Sequence, residues 1–307
     1  MDALARVPQL IVYGLVSGSI LSLGGIGVSL TYSILGFSNF AHGDMMALGA
    51  YFALAALSIL SGWGLSNRPL GPLSFGPGLL AALLVAVVLT SGSVVLLDRL
   101  LYRRLRHAGR ITLMISTVGV ALGLRNLIQF IWGPQPHYYT TRIQRAVAVP
   151  GLGVRIKPDQ LFIVAVAVAL AVLLHLFLRY TKTGKAMRAT SDNPSLARVS
   201  GINTERVIVW TWIIGASLAA VAGVLTGIEN KFVMPELGWQ MLLSIFAAVI
   251  LGGIGNPYGA IVGGMIVGIS EEVSTAFVST GYKPAVAFGI LILMLLVRPS
   301  GILGRRE

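Results

Sequence analysis

Cysteine is missing from all 307 residues. That excludes disulfides and thiolate metal sites while leaving the compartment open. Charge is scarce as well. Charged residues make up 11% of the chain and hydrophobic residues 55%, where a soluble domain averages about 25% charged. Too few polar side chains remain to cover a water-facing surface. A phosphate loop is also lacking. The stretch 181–186, TKTGKA, comes nearest, but a Walker A motif needs GxxxxGK[ST], and Arg179 and Ala186 break it at both ends. His42 and Asp44 are too few to ligate a metal, so no metal site is expected.

What is present falls in long apolar blocks separated by short polar segments, the pattern of membrane spans. The block Leu10 to Gly36 is too long for the apolar region of a signal peptide. The formal charge is +12, and 14 of the 23 Lys and Arg lie in Asp98–Arg110, Arg179–Arg206 and the tail from Arg298. Basic clusters between apolar spans are the positive-inside signature, not a nucleic-acid surface. Candidate spans are 9–36, 45–63, 79–97, 111–133, 160–178, 207–228, 240–255, 260–280 and 284–297. Placing all three clusters in the cytoplasm requires even numbers of crossings between them, and the spacing supplies two and then four. The 134–160 loop is discordant, because it falls outside yet holds Arg142, Arg145, Arg155 and Lys157. The expectation is an all-α polytopic bundle of eight or nine crossings, with broken or re-entrant segments and a cytoplasmic C-terminus. The side of the N-terminus stays open.

The 37 glycines fall in register. Gly14, Gly18 and Ser22 are four apart, as are Gly215, Ala219, Gly223 and Gly227, and Gly119/Gly123 and Gly264/Gly268 repeat the spacing. Such stripes let helices approach closely in lipid. The whole chain, 1–307, reads as one transmembrane domain with a hint of two related halves, about 9–133 and 160–297. Each half has a small-residue helix led by an aromatic (Tyr13, Trp210) and then an interrupted apolar stretch.

Three polar interruptions carry the functional reading. The first, Gly36–Asp44, gathers Ser38, Asn39, His42 and Asp44 where lipid penalises exposed polar groups. It serves as a capped helix break, a path lining, or both, with Asp44 able to cap the next helix. The second, LGGIGNPYGA (251–260), reads as a tight turn or re-entrant break at Asn256–Pro257. Glu271 and Glu272 follow; adjacent helical residues point about 100° apart, so surface placement near the outer end is expected. Arg125, mid-block, either snorkels outward or pairs inside the bundle. The third interruption is the basic loop 179–206. It spells one short helix from Gly184 and a second started by Asp192 or Asn193 with Pro194 at its first position, stopped by Gly201. A short helix on that face suits docking as well as simple connection.

At these segments the chain resembles the permeases of bacterial branched-chain amino acid ABC importers, the LivH/LivM type, and the LivH-like subunit more nearly. The matching pieces are YSILGFSNFAHGDMMALGAY (32–51), GKAMRATSDNPSLARVSGINTERV (184–207), AAVAGVLTG (219–227), AAVILGGIGNPYGAIVGG (247–264) and RPSGILGR (298–305). The outer loop and N-terminus match less well. Arg125 is not a family feature, and Asn256 stands where a small residue is common.

The resemblance implies a non-enzymatic transport subunit of the bacterial cytoplasmic (inner) membrane that binds no cofactor itself. A second permease, a LivM-like hetero-partner, completes the path. Two cytoplasmic ABC ATPases hold ATP and Mg, and an external binding protein delivers the amino acid. The loop becomes the coupling element, with Gly184, Lys185, Ala186, Arg188 and Ala189 on its first helix and Asp192, Asn193, Pro194, Ala197 and Gly201 on its second. Asn39, His42 and the backbone at Gly252, Gly253 and Gly255 are candidates for the substrate path. A stand-alone secondary transporter or channel is the rival, and urea, amides or other amino acids are rival substrates.

Overall fold

In a computed structural model, residues 6–65, 67–139, 144–150 and 153–304 are described; Arg142 of the outer loop and Arg305 of the tail lie outside the described residues. The chain begins with α1 (Val7–Leu35), whose 29 residues span about 43 Å at ~1.5 Å per residue. Gly36 ends it at φ 73°, a left-handed turn that suits glycine, and returns its N–H to the Tyr32 carbonyl. A short irregular segment leads into α2 (His42–Gly62). Then come α3 (Pro77–Leu97), a π-helical turn at Asp98–Tyr102 and α4 (Arg103–Leu105), followed by α5 (Arg110–Trp132) and α6 (Pro158–Tyr180). Two short helices, α7 (Lys182–Asp192) and α8 (Pro194–Val199), precede α9 (Thr204–Asn230), α10 (Leu237–Gly252), α11 (Pro257–Ser274) and α12 (Lys283–Val297). Proline at the first or second position starts α3, α6, α8, α11 and α12, where its missing N–H costs nothing.

Among the described residues seven helices are long and apolar enough to cross a membrane: Val7–Leu35, His42–Gly62, Pro77–Leu105, Arg110–Trp132, Pro158–Tyr180, Thr204–Asn230 and Thr280–Val297. Helix α10 has only 16 residues, and α11 carries Glu271 and Glu272, so neither joins the seven. The 134–160 region also holds a two-stranded antiparallel hairpin, β1 (Val147–Val149) with β2 (Val154–Ile156). Runs of three residues are too short to show an alternation in sequence.

The glycine stripes pack where they can. Gly14 and Gly18 of α1 meet Gly264 and Gly268 of α11 so closely that a Cβ on Gly268 would overlap the Gly18 backbone. Gly223 of α9 likewise admits the Met46 backbone of α2. Gly119 and Gly123 of α5 face nothing within 4 Å among the described residues. Helix α1 is the core, with most of its length buried.

The packing order repeats. Helix α3 lies on α2 and α9, while α11 lies on α10 and α1, and α1 packs on α9. Helices α2 and α10 begin against each other, backbone to backbone at Gly43 and Gly238. Both starts lie inside the bundle, for His42 abuts Gly27 in the body of α1.

The three basic clusters share one end. Arg103 and Arg106 pair with Glu205, Gly36 lies beside Arg110, and the tail folds on Gly252. The other end carries the start of α1, whose Gln9 bonds Arg155 of the hairpin, and Asp159 with Lys231.

Candidate functional site

The break before α2 is built from its own polar residues. Asn39 accepts the Ala41 N–H at 3.0 Å and donates to the Met45 sulfur at 3.8 Å. Phe40 N–H donates to Thr117 of α5. Ser38 is half-buried, and Asn39 and His42 are buried, with His42 Nε2 lacking a partner among the described residues. Asp44 does not cap α2, whose start has no side-chain cap. Its carboxylate instead takes a side-on fork from Arg125, Nε to Oδ1 at 3.0 Å and Nη2 to Oδ2 at 3.2 Å. The alternative left open for Arg125 is thereby resolved towards pairing inside the bundle, because a charge in an apolar slab is stabilised by a counter-charge it can reach.

That guanidinium also lies 4.8 Å from the centre of the Trp239 ring, on the first turn of α10. One turn further along α5, Gln129 donates to Glu236, the residue before α10, at 3.2 Å. Arg125 and Gln129 are four apart and so share a face. Trp239 and Gln240 are exposed beside them. Interior polar residues of a span were a visible signal; their partners, 81 and 107 positions away, were not.

The α10–α11 turn is tight. Asn256 caps α11 by accepting from Tyr258 and Gly259 N–H, with Pro257 next. Gly253 sits at φ 107°, a conformation side chains disfavour. The tail closes over it: Leu303 N–H donates to Gly252, and Asn256 Nδ2 to Leu303. Gly252 packs on Gly259, and Gly255 touches Tyr32 and Ser33. The two groups of path candidates therefore meet α1 at different heights. Glu271 departs from the expected surface placement. It is buried and accepts from Ser244 of α10 at 2.5 Å, while Glu272 turns to Ser17 and Lys283. The ~100° between neighbours sends one to the interface and one to the rim.

The basic loop folds as two short helices. Thr181 caps α7 through the Gly184 N–H, and Asn193 caps α8 through the Leu196 N–H. Gly184 presses on the Phe177–Leu178 backbone, where a Cβ has no room. Met187, Thr190 and Ala197 point inward, and Ala186 and Ala189 are half-buried. Lys185, Arg188, Asp192, Asn193, Pro194 and Gly201 are exposed. So are Leu196 at 62% and Val199 at 87%, apolar residues with no packing role here, which sequence patterning passed over.

Next to this loop a partly buried network joins α3 to α9. Asp98, at the π turn, accepts both Nη2 bonds of Arg106 at 2.8 Å and the Trp212 indole N–H at 2.9 Å. Arg106 Nη1 holds both oxygens of Glu205 at 2.8 Å, and Tyr102 stacks on Trp212. Among the described residues no three His, Asp or Glu gather as a metal would need.

Comparison with known proteins supplies the family. Residues 10–296 match the family model described as branched-chain amino acid transport system / permease component. The high-affinity branched-chain amino acid transport permease LivH of Escherichia coli (strain K12) is 36% identical over 96% of this chain and 94% of its own. BraD of Pseudomonas aeruginosa is 35% identical over 97% and 96%. LivM of Salmonella typhimurium is 24% identical over 91% of this chain and 66% of its own. This multi-pass chain belongs to the branched-chain amino acid transport permease family, on its LivH-like side.

Proposed function

We propose that the chain is the membrane permease of an ABC importer in a bacterial inner membrane, carrying branched-chain or related hydrophobic amino acids. A LivM-like partner completes the path, two ATPases bind ATP and Mg on the cytoplasmic side, and an external binding protein delivers cargo. The observation that carries this reading is the α7–α8 pair, which presents bare Leu196 and Val199 among exposed basic residues at the basic end. An apolar knob ringed by charge is the anatomy of a docking surface. The chain has no phosphate loop of its own, so the proposed importer draws its ATPase from another chain, and this surface is where we place it. Gly184, Lys185, Ala186, Arg188 and Ala189, then Asp192, Asn193, Pro194, Ala197 and Gly201, form the coupling element, the buried ones by fixing its shape.

Nine crossings follow if α10 and α11 traverse with the seven longer helices, placing the N-terminus outside and the C-terminus inside. The repeated packing order supports two inverted halves meeting at Gly43 and Gly238, the arrangement that places cargo sites where broken helices begin. Rocking of these halves opens the path to each side in turn. Asn39, His42 and the backbone at Gly252 and Gly253, covered in this conformation, and that at half-buried Gly255 become accessible in another. Ser38, Asp44, Asn256 and Pro257 hold the breaks.

Reconstitution tests the reading. In proteoliposomes containing all subunits, Leu196→Asp and Val199→Asp should each abolish ATP-driven leucine uptake while the chain still inserts. Unchanged uptake in both, or uptake without any ATPase, returns the protein to the stand-alone transporter class.

A further inference from the structure

Arg125, Gln129, Glu236, Trp239 and Gln240 form a polar patch on a face that is otherwise apolar and lies within the bundle's span. Lipid disfavours such a patch, so it faces water or protein. The Arg125–Asp44 pair uses the Nε/Nη2 edge of the guanidinium. Nη1 takes no part in that fork, and the Arg125 side chain is 14% exposed. The indole of Trp239 is 51% exposed and already holds one cation against its face. Glu236 gives one oxygen to Gln129 and has a second to offer. Helices α2 and α10 both begin here, so two positive dipole ends converge on the patch. A fixed cation edge, a carboxylate and an aromatic wall within one turn of each other are complementary to a small zwitterion.

We propose that this patch is a binding site for a free α-amino acid. The guanidinium Nη1 edge takes the carboxylate, Glu236 takes the ammonium, and the exposed ring face of Trp239 lies along the side chain. Asp44 is a positioning residue that holds the fork and does not touch cargo. The proposal rests on the path reading above. It separates amino acids from urea and neutral amides, which have no charge for Arg125 to meet.

The absence of cysteine supplies the test. Gln240→Cys adds a single thiol at the edge of the patch, and its reaction with a small polar thiol reagent is followed on this chain by mass in the assembled transporter. With the site about nine-tenths occupied by L-leucine, the labelling rate should fall about tenfold. Leucinamide and 4-methylpentanoate, each lacking one charge, should protect less at the same concentration. In the charge-balanced variant Arg125→Gln with Asp44→Asn, leucine should protect no better than leucinamide. Arg125→Lys keeps the ion pair but loses the fork, so it should also lose most protection even if the double variant fails to assemble. Equal protection by leucine and leucinamide, or none by leucine at a reactive thiol, overturns the site and leaves the path reading standing. A thiol that never reacts in any nucleotide state sinks both.

Discussion

Asp44 has 0% exposure and Arg125 14%, so each is the other's means of staying charged in an apolar slab. Breaking such a buried pair from one side costs about 3–5 kcal/mol, while replacing both members is often neutral. Asp44→Ala should therefore lower the melting temperature of the detergent-purified chain strongly, and Asp44→Ala with Arg125→Met should recover most of the loss. Equal melting of the single variant and the parent would show that the pair contributes nothing. Both charges stood out in the sequence as polar residues inside apolar blocks. Their pairing did not, because residues on α2 and α5 are brought together by helix packing, for which no local pattern codes. The same holds for Glu271: its neighbour Glu272 reaches the rim, and only the approach of α10 with Ser244 decides that Glu271 is buried.

Elements were legible where chemistry is local. Asn193, one of two candidate caps with Asp192, Pro194 at the first position and Gly201 as stop marked α8 because each acts on the backbone within a few residues. The π turn at Asp98–Tyr102 carries no such signature. It rotates Asp98 onto Trp212 and Arg106, and Arg106 passes the load to Glu205 at the start of α9. Single-turn π-bulges are frequent at functional positions, and this one ties the end of α3 to α9, the helix that follows the proposed docking pair. Arg106→Ala should lower the amount of cargo moved per ATP hydrolysed, with hydrolysis itself persisting; Arg106→Lys should fall between. If the ratio is unchanged, the network is only a fastener. Gly119 and Gly123 show the converse: their stripe was plain in the sequence, yet α5 presents it to no neighbour among the described residues.

The whole molecule has a basic end, where the three positive clusters meet α7 and α8, and an opposite end with the α1 start, the hairpin and the Asp159–Lys231 pair. Seven of the nine candidate spans, and the basic clusters, could be read in sequence because hydropathy and charge are block properties. The inverted relation proposed for the halves could not, since it rests on which helices touch. Side-specific labelling with a membrane-impermeant thiol reagent on intact cells tests the central claim, that the end bearing α7 and α8 faces ATP. Pro8→Cys and Ser279→Cys, exposed at the opposite end, should react from outside, whereas Ser195→Cys on α8 should react only after the membrane is opened. Labelling of Ser195→Cys in sealed cells would contradict the account.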